Sequence, residues 1–300
     1  MARTRFAPDR GLTTRMVLTM VLLAVLYVVL IGAIALAGFG WVFGVIIGLG
    51  VLWAQWYFSD KIALSAMRAR QVSPAEEPEL HAMIDRLCAL ADMPKPKVAV
   101  ADTDLPNAFA AGRSPDRAVV CVTRGIQRRL DDRELEAVLS HELSHVAHRD
   151  VLVMTVASVV GVLAGMMTRM LLWSGMMRGG RNNNNAAVMV LVVMLVAAVV
   201  YAVSFLLTRL LSRYRELAAD RAGAILTGQP SVLASALTKI SGDMAKIPQK
   251  DLRQAEAYNA FFFVPAMTGK VDIASLFASH PPLEKRLEQL NRISIELGQE

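Results

Sequence analysis

Two histidines and a glutamate near the middle of the chain have the types and spacing for metal chemistry. Residues 141–145 read H-E-x-x-H, which places His141 and His145 four residues apart. On a helix such side chains share one face, so both imidazoles can bind one metal ion. Glu142 can then reach a water molecule on that ion. The same string also occurs by chance on amphipathic helices, where the histidines are ordinary polar groups.

The residues around this motif predict the helix that it needs. Asp131 and Asp132 are N-cap candidates, and Glu134 and Glu136 place acidic side chains in the first turns, where they favour the helix dipole. Apolar side chains recur at helical spacing through the motif. They are Leu135, Val138, Leu139, Leu143 and Val146.

A catalytic zinc ion usually takes three protein ligands, so a further histidine or carboxylate is needed. Glu216 and Asp220 are four residues apart on a predicted helix at 212–226 and face the same way. One of them can bind zinc while the other accepts a hydrogen bond from a ligating histidine and fixes its tautomer. The alternative is a solvated acidic pair matched to the neighbouring arginines.

The composition indicates a membrane protein with a water-facing part. The apolar share is 54% and the mean hydropathy is +0.41, which is high for a soluble chain. The net charge of +6 comes with arginines beside apolar runs, which indicates membrane orientation. The pattern of basic and aromatic residues argues against nucleic acid as a partner. Cys88 and Cys121 are far apart in sequence, which argues against a disulfide framework and fits a reducing compartment.

The segment 1–58 predicts an N-terminal tail and a first transmembrane hairpin, formed by 16–37 and 39–58. The first run has 22 uncharged residues, about 33 Å as a helix. A signal peptide is the competing interpretation of this run. Basic residues flank both open ends of the hairpin, so the positive-inside rule places those ends in the cytoplasm.

A second hairpin is predicted within 151–208, formed by 151–177 and 186–207. Arg169 and further arginines at its polar tip oppose the positive-inside rule, so a shallow or re-entrant hairpin is the alternative to two full spans. We expect the motif helix to run directly into this hairpin, near the bilayer surface. The hairpin then returns Glu216 to the same membrane face as His145.

The water-facing part is expected in two pieces, 59–150 and 209–300. The first piece predicts a helix from Ser73 to about Met93, followed by a small sheet. Its strands are predicted at 97–101, 107–110 and 118–122, with a turn at 112–115. The second piece predicts helices at 212–226 and 231–244, an irregular lobe at 247–280 and a last helix after Pro281–Pro282.

Four motifs in this order resemble those of the M48 family of integral-membrane zinc metallopeptidases, of the bacterial HtpX type. They read N-A-F-A at 107–110, H-E-L-S-H at 141–145, R-Y-R-E-L-A-A-D at 213–220 and S-H-P-P-L-E-K-R at 279–286. The resemblance covers nearly the whole chain. Arg169 and the basic tip of the second predicted hairpin depart from the family pattern. The resemblance implies an α+β integral membrane protein. A mostly helical, gluzincin-like peptidase domain with a small sheet accompanies two transmembrane hairpins.

The resemblance also implies a role for each matching residue. His141, His145 and Glu216 would hold one Zn²⁺ ion, and Glu142 would be the general base. Asp220 would accept a hydrogen bond, most simply from His141.

The remaining matches carry two interpretations each. The strand Asn107-Ala108-Phe109-Ala110 would be the sheet edge on which substrate lies extended, or plain sheet structure. His280 would donate to the oxyanion of the tetrahedral intermediate, or cap the chain before Pro281. Arg286 would pair with the acidic helix, or help to orient substrate.

We predict a zinc endopeptidase of the bacterial inner membrane with its catalytic domain at the cytoplasmic face, and the resemblance implies that it cleaves misfolded or damaged membrane proteins. The sequence has no Gly-rich loop ending in Lys-Ser/Thr, so no nucleotide is expected. Substrates would need exposed or unfolded segments, or delivery by a separate ATP-dependent membrane protease. The alternatives are a processing peptidase for one membrane-anchored substrate and a non-enzymatic membrane scaffold.

Overall fold

The computed structural model describes residues 6, 9–36, 46, 49–50, 53–150, 184–244 and 281–299. The chain divides into two compact units. We call Met1–Leu12, Tyr57–Val151 and Ser212–Glu300 the motif unit, and Thr13–Trp56 and Leu152–Leu211 the apolar unit.

The described part of the chain is mostly helical, as predicted. In chain order the helices are α1 Arg10–Leu36, α2 Ser59–Ala66, α3 Pro78–Ala91, α4 Arg124–Arg129, α5 Asp132–Ala147, α6 Asn184–Thr227, α7 Pro230–Met244 and α8 Leu283–Glu296. The motif 141–145 lies in α5.

A four-stranded mixed sheet belongs to the motif unit. Its strands are β1 Ala69–Gln71, β2 Lys97–Ala101, β3 Ala108–Ala111 and β4 Val119–Thr123, in the spatial order β1-β2-β4-β3. β2 and β4 are parallel, while β1 pairs with β2 and β3 with β4 in antiparallel fashion. The central strand β4 is buried along its whole length, which explains its uninterrupted apolar sequence. β3 ends the order and is therefore an edge strand.

Three predicted strands are present, with β3 and β4 each displaced by one residue from the prediction. β1 was missed because Ala-Arg-Gln is short and lacks the apolar alternation that identifies a strand.

The predicted start of α3 at Ser73 is wrong. Glu76 instead closes a local turn, in which its Oε2 accepts hydrogen bonds from the backbone N of Ser73 at 2.7 Å and its Oγ at 3.0 Å. The helix begins at Pro78, where a proline costs no hydrogen bond.

The predicted runs 186–207 and 212–226 are one continuous helix, α6, of 44 residues. The sequence between them contains no proline to break the helix. α6 ends where the positive φ of Gly228, 66°, closes its last turn.

The main core of the motif unit lies between one face of the sheet and α3, α5 and α7. Its fully buried members include Ile84, Leu87, Val120, Val138, Leu139 and Leu237. A smaller cluster on the other face joins Phe109 and Cys121 to Ala63 of α2. Cys88 and Cys121 are both buried free thiols, in different clusters. The core therefore holds α5 rigidly against the sheet.

The apolar unit contains α1 packed on the first half of α6. Leu23 and Leu30 meet Ala197 and Val200 there. The stretches Arg10–Ala33 and Leu191–Thr227 each contain an 18-residue window of high mean hydropathy, 2.8 and 2.7, of which only 17% and 22% is buried. A core helix of a soluble protein would be mostly buried, so these two helices are candidate membrane spans.

Several predictions fall on residues that the structure does not describe. They include the run 151–177, the tip with Arg169, the lobe 247–280 with His280, and most of the run 39–58.

Candidate metal centre

Of the two N-cap candidates of the motif helix α5, Asp131 is the N-cap, and it forms a capping box with Glu134. Asp131 Oδ1 accepts from the backbone N of Glu134 at 2.9 Å, and Glu134 Oε2 accepts from the backbone N of Asp131 at 3.1 Å. Glu134 also accepts from Ser235 Oγ at 2.7 Å and from Lys239 Nζ at 2.6 Å. One carboxylate thus caps α5 and fixes it to α7.

Three buried side chains from two helices converge on one point. The Nε2 atoms of His141 and His145 are 3.2 Å apart. Glu216 Oε2 lies 3.6 Å from His141 Nε2, and Glu216 Oε1 lies 3.5 Å from His145 Nε2. The three ligand atoms lie within 4.8 Å of one another. The structure therefore brings together the three residues that the sequence singled out, although α5 and α6 are far apart along the chain.

The donor set fits a zinc ion. Two imidazole nitrogens and one carboxylate form a common ligand set of catalytic zinc sites, and a fourth position stays open for water. The Nδ1 atoms of both histidines contact aspartates, so both Nε2 atoms are left to face the centre.

Asp220 lies beside His141, with Oδ1 at 2.8 Å from Nδ1. Arg286 of α8 donates two hydrogen bonds to this carboxylate, from Nε and from Nη2, each at 2.7 Å. Burial acts to raise the pKa of Asp220. The charge and hydrogen bonds of Arg286 outweigh this effect, so the pKa is below its ordinary value. Of the two interpretations of Arg286, the contact observed is the one with the acidic helix.

His145 has a corresponding partner that the sequence analysis missed. Its Nδ1 lies 2.7 Å from Asp150 Oδ2, and Arg215 Nε lies 2.9 Å from the same oxygen. A continuing helix would place Asp150 about 7–8 Å along the axis from His145. α5 instead ends at Ala147, and Arg149 adopts a left-handed φ of 57°, so a continuing helix does not determine the position of Asp150.

One signal in the sequence pointed to Asp150. A lone acidic residue directly before an apolar run is costly unless it has a charged partner. The end of α5 at Ala147 corrects one expectation, because the motif helix does not run unbroken into the run that starts at residue 151.

The protonation of the two histidines differs. Burial acts to lower the pKa of His141, but its contacts with Asp220 and Glu216 outweigh burial and raise the pKa to about 9. Burial lowers the pKa of His145 below its ordinary value, with Asp150 acting in the opposite direction. A metal ion at this centre would therefore compete with a proton mainly at His141.

Glu142 lies between the two histidines in sequence and faces the edge strand. Its Oε2 accepts a hydrogen bond from the backbone N of Ala110 at 3.0 Å. Burial raises the pKa of Glu142 to about 7, with the charge of His141 and the Ala110 N–H acting to lower it. A carboxyl group with this pKa can accept and release a proton near neutral pH.

The rest of the edge strand is firmly built into the sheet. Asn107 is buried and its backbone exchanges hydrogen bonds with Thr123, at 3.0 Å to Oγ1 and at 2.9 Å from the backbone N. Ala108 and Phe109 are also buried. Ala110 is thus the residue of this stretch whose backbone N–H points at Glu142.

Gly223, which the sequence analysis did not single out, lets α6 approach α5. A Cβ atom at this position would lie 3.0 Å from the backbone N of His141 and 3.2 Å from its Cα. Ser140 Oγ donates to the carbonyl of Gly223 at 3.3 Å. An isolated glycine inside a predicted helix was the available signal, because it usually has a packing reason.

The chain resembles known proteins over nearly its whole length. Residues 74–294 match the model of peptidase family M48. Protease HtpX homolog 1 of Streptomyces coelicolor is 57% identical over 297 residues, which cover 99% of this chain and 97% of that protein. Protease HtpX homolog of Moorella thermoacetica is 51% identical over 296 residues, covering 98% of each.

A solved structure has a similar fold. The crystal structure of S. mikatae Ste24p aligns with a TM-score of 0.54 over 94% of this chain and 67% of that one. Since the sequence identity is 16%, this likeness concerns the fold alone.

Proposed function

The chain belongs to peptidase family M48 and is a transmembrane metalloprotease, and from this premise we propose that it is a zinc-dependent endopeptidase. The metal is held by His141, His145 and Glu216. One observation carries the proposal: the three ligand atoms lie within 4.8 Å of one another in a buried cluster, with Glu142 on the same helix.

Each residue of the centre has a defined task in this proposal. Zinc, when bound, supplies a Lewis acid that polarises the scissile carbonyl and lowers the pKa of a water molecule. With the metal bound, His141 and His145 would present unprotonated Nε2 atoms, because their Nδ1 protons face aspartates. Glu142 accepts a proton from the attacking water at its carboxylate and then passes it to the leaving amine. Burial of Glu142, which raises its pKa, makes its carboxylate a better proton acceptor.

Substrate lies along β3 in the proposal. An extended peptide can add as a strand to a free sheet edge, and backbone hydrogen bonds then hold it in register. The support is the position of β3 at the end of the strand order and the contact between Ala110 and Glu142. This contact places the edge strand directly beside the proposed base.

We propose misfolded or damaged membrane proteins as the substrates, cut at the cytoplasmic face of the bacterial inner membrane. The apolar helices α1 and α6 support a membrane location, and basic residues at the open ends of the first hairpin support the orientation. The sequence lacks a phosphate-binding loop. Substrates would therefore need segments that are already exposed or unfolded, or a separate ATP-dependent membrane protease would have to deliver them.

The test uses the full chain purified in detergent micelles and a denatured membrane protein as substrate. We expect one zinc ion per chain, loss of cleavage with a chelator, and recovery when zinc is restored. Glu142→Gln should lower the cleavage rate by about 10²–10⁴-fold while zinc content stays unchanged. Glu136→Gln is the matched control, because Glu136 is on the same helix and pairs with Arg86 instead; it should cleave normally.

Three results would contradict the proposal. A purified protein that carries no zinc would favour a membrane scaffold. A Glu142→Gln variant that cleaves as fast as wild type would rule out Glu142 as the general base. Cleavage of one peptide at a single site, with a panel of unfolded membrane proteins left intact, would instead identify a processing peptidase.

A further inference from the structure

We propose that Asp150 and Arg215 are positioning residues for the metal ligand His145. Asp150 holds the imidazole in the tautomer and orientation that bind the metal, and Arg215 holds Asp150. The inference rests on the proposed zinc site and adds two residues that do not touch the ion.

The first step concerns the bond between Asp150 and His145. An ionised carboxylate only accepts hydrogen bonds, so the 2.7 Å contact puts the proton on His145 Nδ1. The lone pair of Nε2 then faces His141 and Glu216, where the metal ligands converge. Without this acceptor the ring could take the other tautomer, which has no lone pair on Nε2.

The second step concerns the charge of Asp150. The residue is 1% exposed, and a buried carboxylate is strongly disfavoured unless a positive group accompanies it. Arg215 Nε lies 2.9 Å from the same Oδ2 atom that contacts His145, and Arg215 is also buried. Arg215 is therefore the counter-charge that keeps Asp150 ionised.

The third step is the correspondence between the two histidines. Each imidazole Nδ1 contacts one buried aspartate, and each aspartate contacts one buried arginine. The two sets are His141, Asp220 and Arg286, and His145, Asp150 and Arg215. Arg215 directly precedes Glu216 on α6, so one turn of this helix supplies both a metal ligand and the residue that holds the partner of another ligand.

The backbone also indicates that Asp150 is specifically placed. Arg149 has a φ of 57°, a conformation that non-glycine residues rarely adopt. This turn directly after α5 is what brings Asp150 back to His145. Oδ2 is the Asp150 oxygen that contacts both His145 Nδ1, at 2.7 Å, and Arg215 Nε, at 2.9 Å.

The experiment measures metal binding rather than activity. Full-length protein in detergent micelles is stripped of metal, and zinc affinity is then determined by competition with a chromophoric chelator. We expect Asp150→Ala to weaken zinc binding about 10–100-fold. Asp150→Asn, which keeps a neutral acceptor, and Arg215→Gln should fall between this variant and wild type. The absorption spectrum of the Co²⁺-loaded protein should change in all three.

Two thermal measurements and two comparison variants separate positioning from simple destabilisation. The thermal midpoint of each metal-free variant reports structural damage, whereas the increase in that midpoint on adding zinc reports the site. Asp85→Asn is the negative control, because Asp85 is exposed and pairs with Lys95. Asp220→Asn is the positive reference, since it alters the corresponding partner of His141.

Each outcome bears on a different statement. If wild type binds zinc and Asp150→Asn and Arg215→Gln bind it within two-fold as tightly, with an unchanged Co²⁺ spectrum, the positioning assignment is overturned and the zinc site stands. If wild type binds neither zinc nor Co²⁺, the proposed function itself is overturned, and the assignment with it.

Discussion

Two buried aspartates face two buried arginines at the metal centre, and this balance of charge governs the stability of the site. Arg286 is 2% exposed and makes two hydrogen bonds to Asp220. A buried ion pair adds little compared with an apolar pair of similar shape, but removing one partner leaves an uncompensated charge. Arg286 is thus needed to balance the charge of the buried Asp220, and Asp220 is needed as the partner of His141 Nδ1.

Replacing Arg286 should therefore be costly. We expect Arg286→Met to lower the free energy of unfolding by about 3–5 kcal/mol. Arg286→Lys should cost less but remain destabilising, since an ammonium cannot reproduce the two-pronged contact. Denaturant unfolding in micelles measures both. Arg292→Met on the same helix is the control: Arg292 pairs with Glu288 at the surface, so it should cost at most about 1 kcal/mol. Equal stability of the Met variants at 286 and 292 would refute the argument.

The sequence predicted the residues of the centre that lie on regular helices. His141, His145, Glu216 and Asp220 could be grouped because residues four apart share a helical face. Asp150 could not be placed by this reasoning, since its position depends on a left-handed turn at Arg149, and arginine is not a residue that signals such a turn. Arg215 entered only as one of the arginines that could match the acidic pair Glu216 and Asp220, because its partner Asp150 had not been placed.

At the scale of elements, the centre depends on how closely α5 and α6 approach and on how α5 is held by α7. Gly223 provides the close approach beside His141. Glu134 provides the attachment, through Lys239 and Ser235 of α7. Neither residue touches the side-chain atoms that would bind the metal. Both should nevertheless alter the centre, because they set the position of the helices that carry the ligands.

Gly223→Ala should push α6 away from α5. The added Cβ would meet backbone atoms of His141 at 3.0–3.2 Å, and backbone cannot yield as a flexible side chain can. We expect a loss of about 1–3 kcal/mol in unfolding free energy together with weaker zinc binding. Gly242→Ala in α7 is the matched control. Its Cβ would enter open space, so the better helix propensity of alanine should stabilise by up to about 1 kcal/mol. Equal effects of the two substitutions would show that packing at Gly223 is unimportant.

Glu134 should make the stability of the motif unit depend on pH. Burial acts to raise the pKa of Glu134. The hydrogen bonds from Lys239, Ser235 and the Asp131 backbone outweigh this effect, so the pKa is below its ordinary value. A lowered pKa means that the carboxylate stabilises the fold above about pH 4.3, its value in an unfolded chain. This contribution is lost as the pH falls through the lower folded value.

We therefore expect Glu134→Gln to cost about 1–3 kcal/mol at pH 7, and the gap from wild type to shrink as the pH falls below 4. Urea unfolding at a series of pH values measures this gap. Glu288→Gln, which removes an exposed pair, should cost no more than about 0.5 kcal/mol at any of these pH values. A gap at position 134 that does not change with pH would mean that the charge of Glu134 contributes nothing.

At the scale of the whole molecule, two of the four predicted apolar runs can be compared with the structure. The charge-free run 186–207 lies within α6, and the run 16–37 lies in α1 as far as Leu36, where α1 ends. Long apolar stretches have few other stable conformations in a bilayer. The predicted break between residues 207 and 212 is absent, because no residue there breaks a helix and α6 is continuous. α6 has 44 residues, about 66 Å at 1.5 Å per residue, roughly twice the thickness of a hydrocarbon core.

This length leads to a prediction about topology. If 186–207 crosses the bilayer, the second half of α6, which carries Glu216, remains in water on the side of the motif, and the tip at 178–185 lies on the opposite side. Cysteines introduced at Asn183 and at Ala75 should then react with a membrane-impermeant thiol reagent from opposite sides of sealed vesicles. Cys88 and Cys121 are buried, so the wild-type chain serves as the unlabelled baseline. Labelling of both positions from the same side would mean that the second hairpin is re-entrant. In that case the arginines at its tip would obey the positive-inside rule after all, and α6 would enter the bilayer without crossing it.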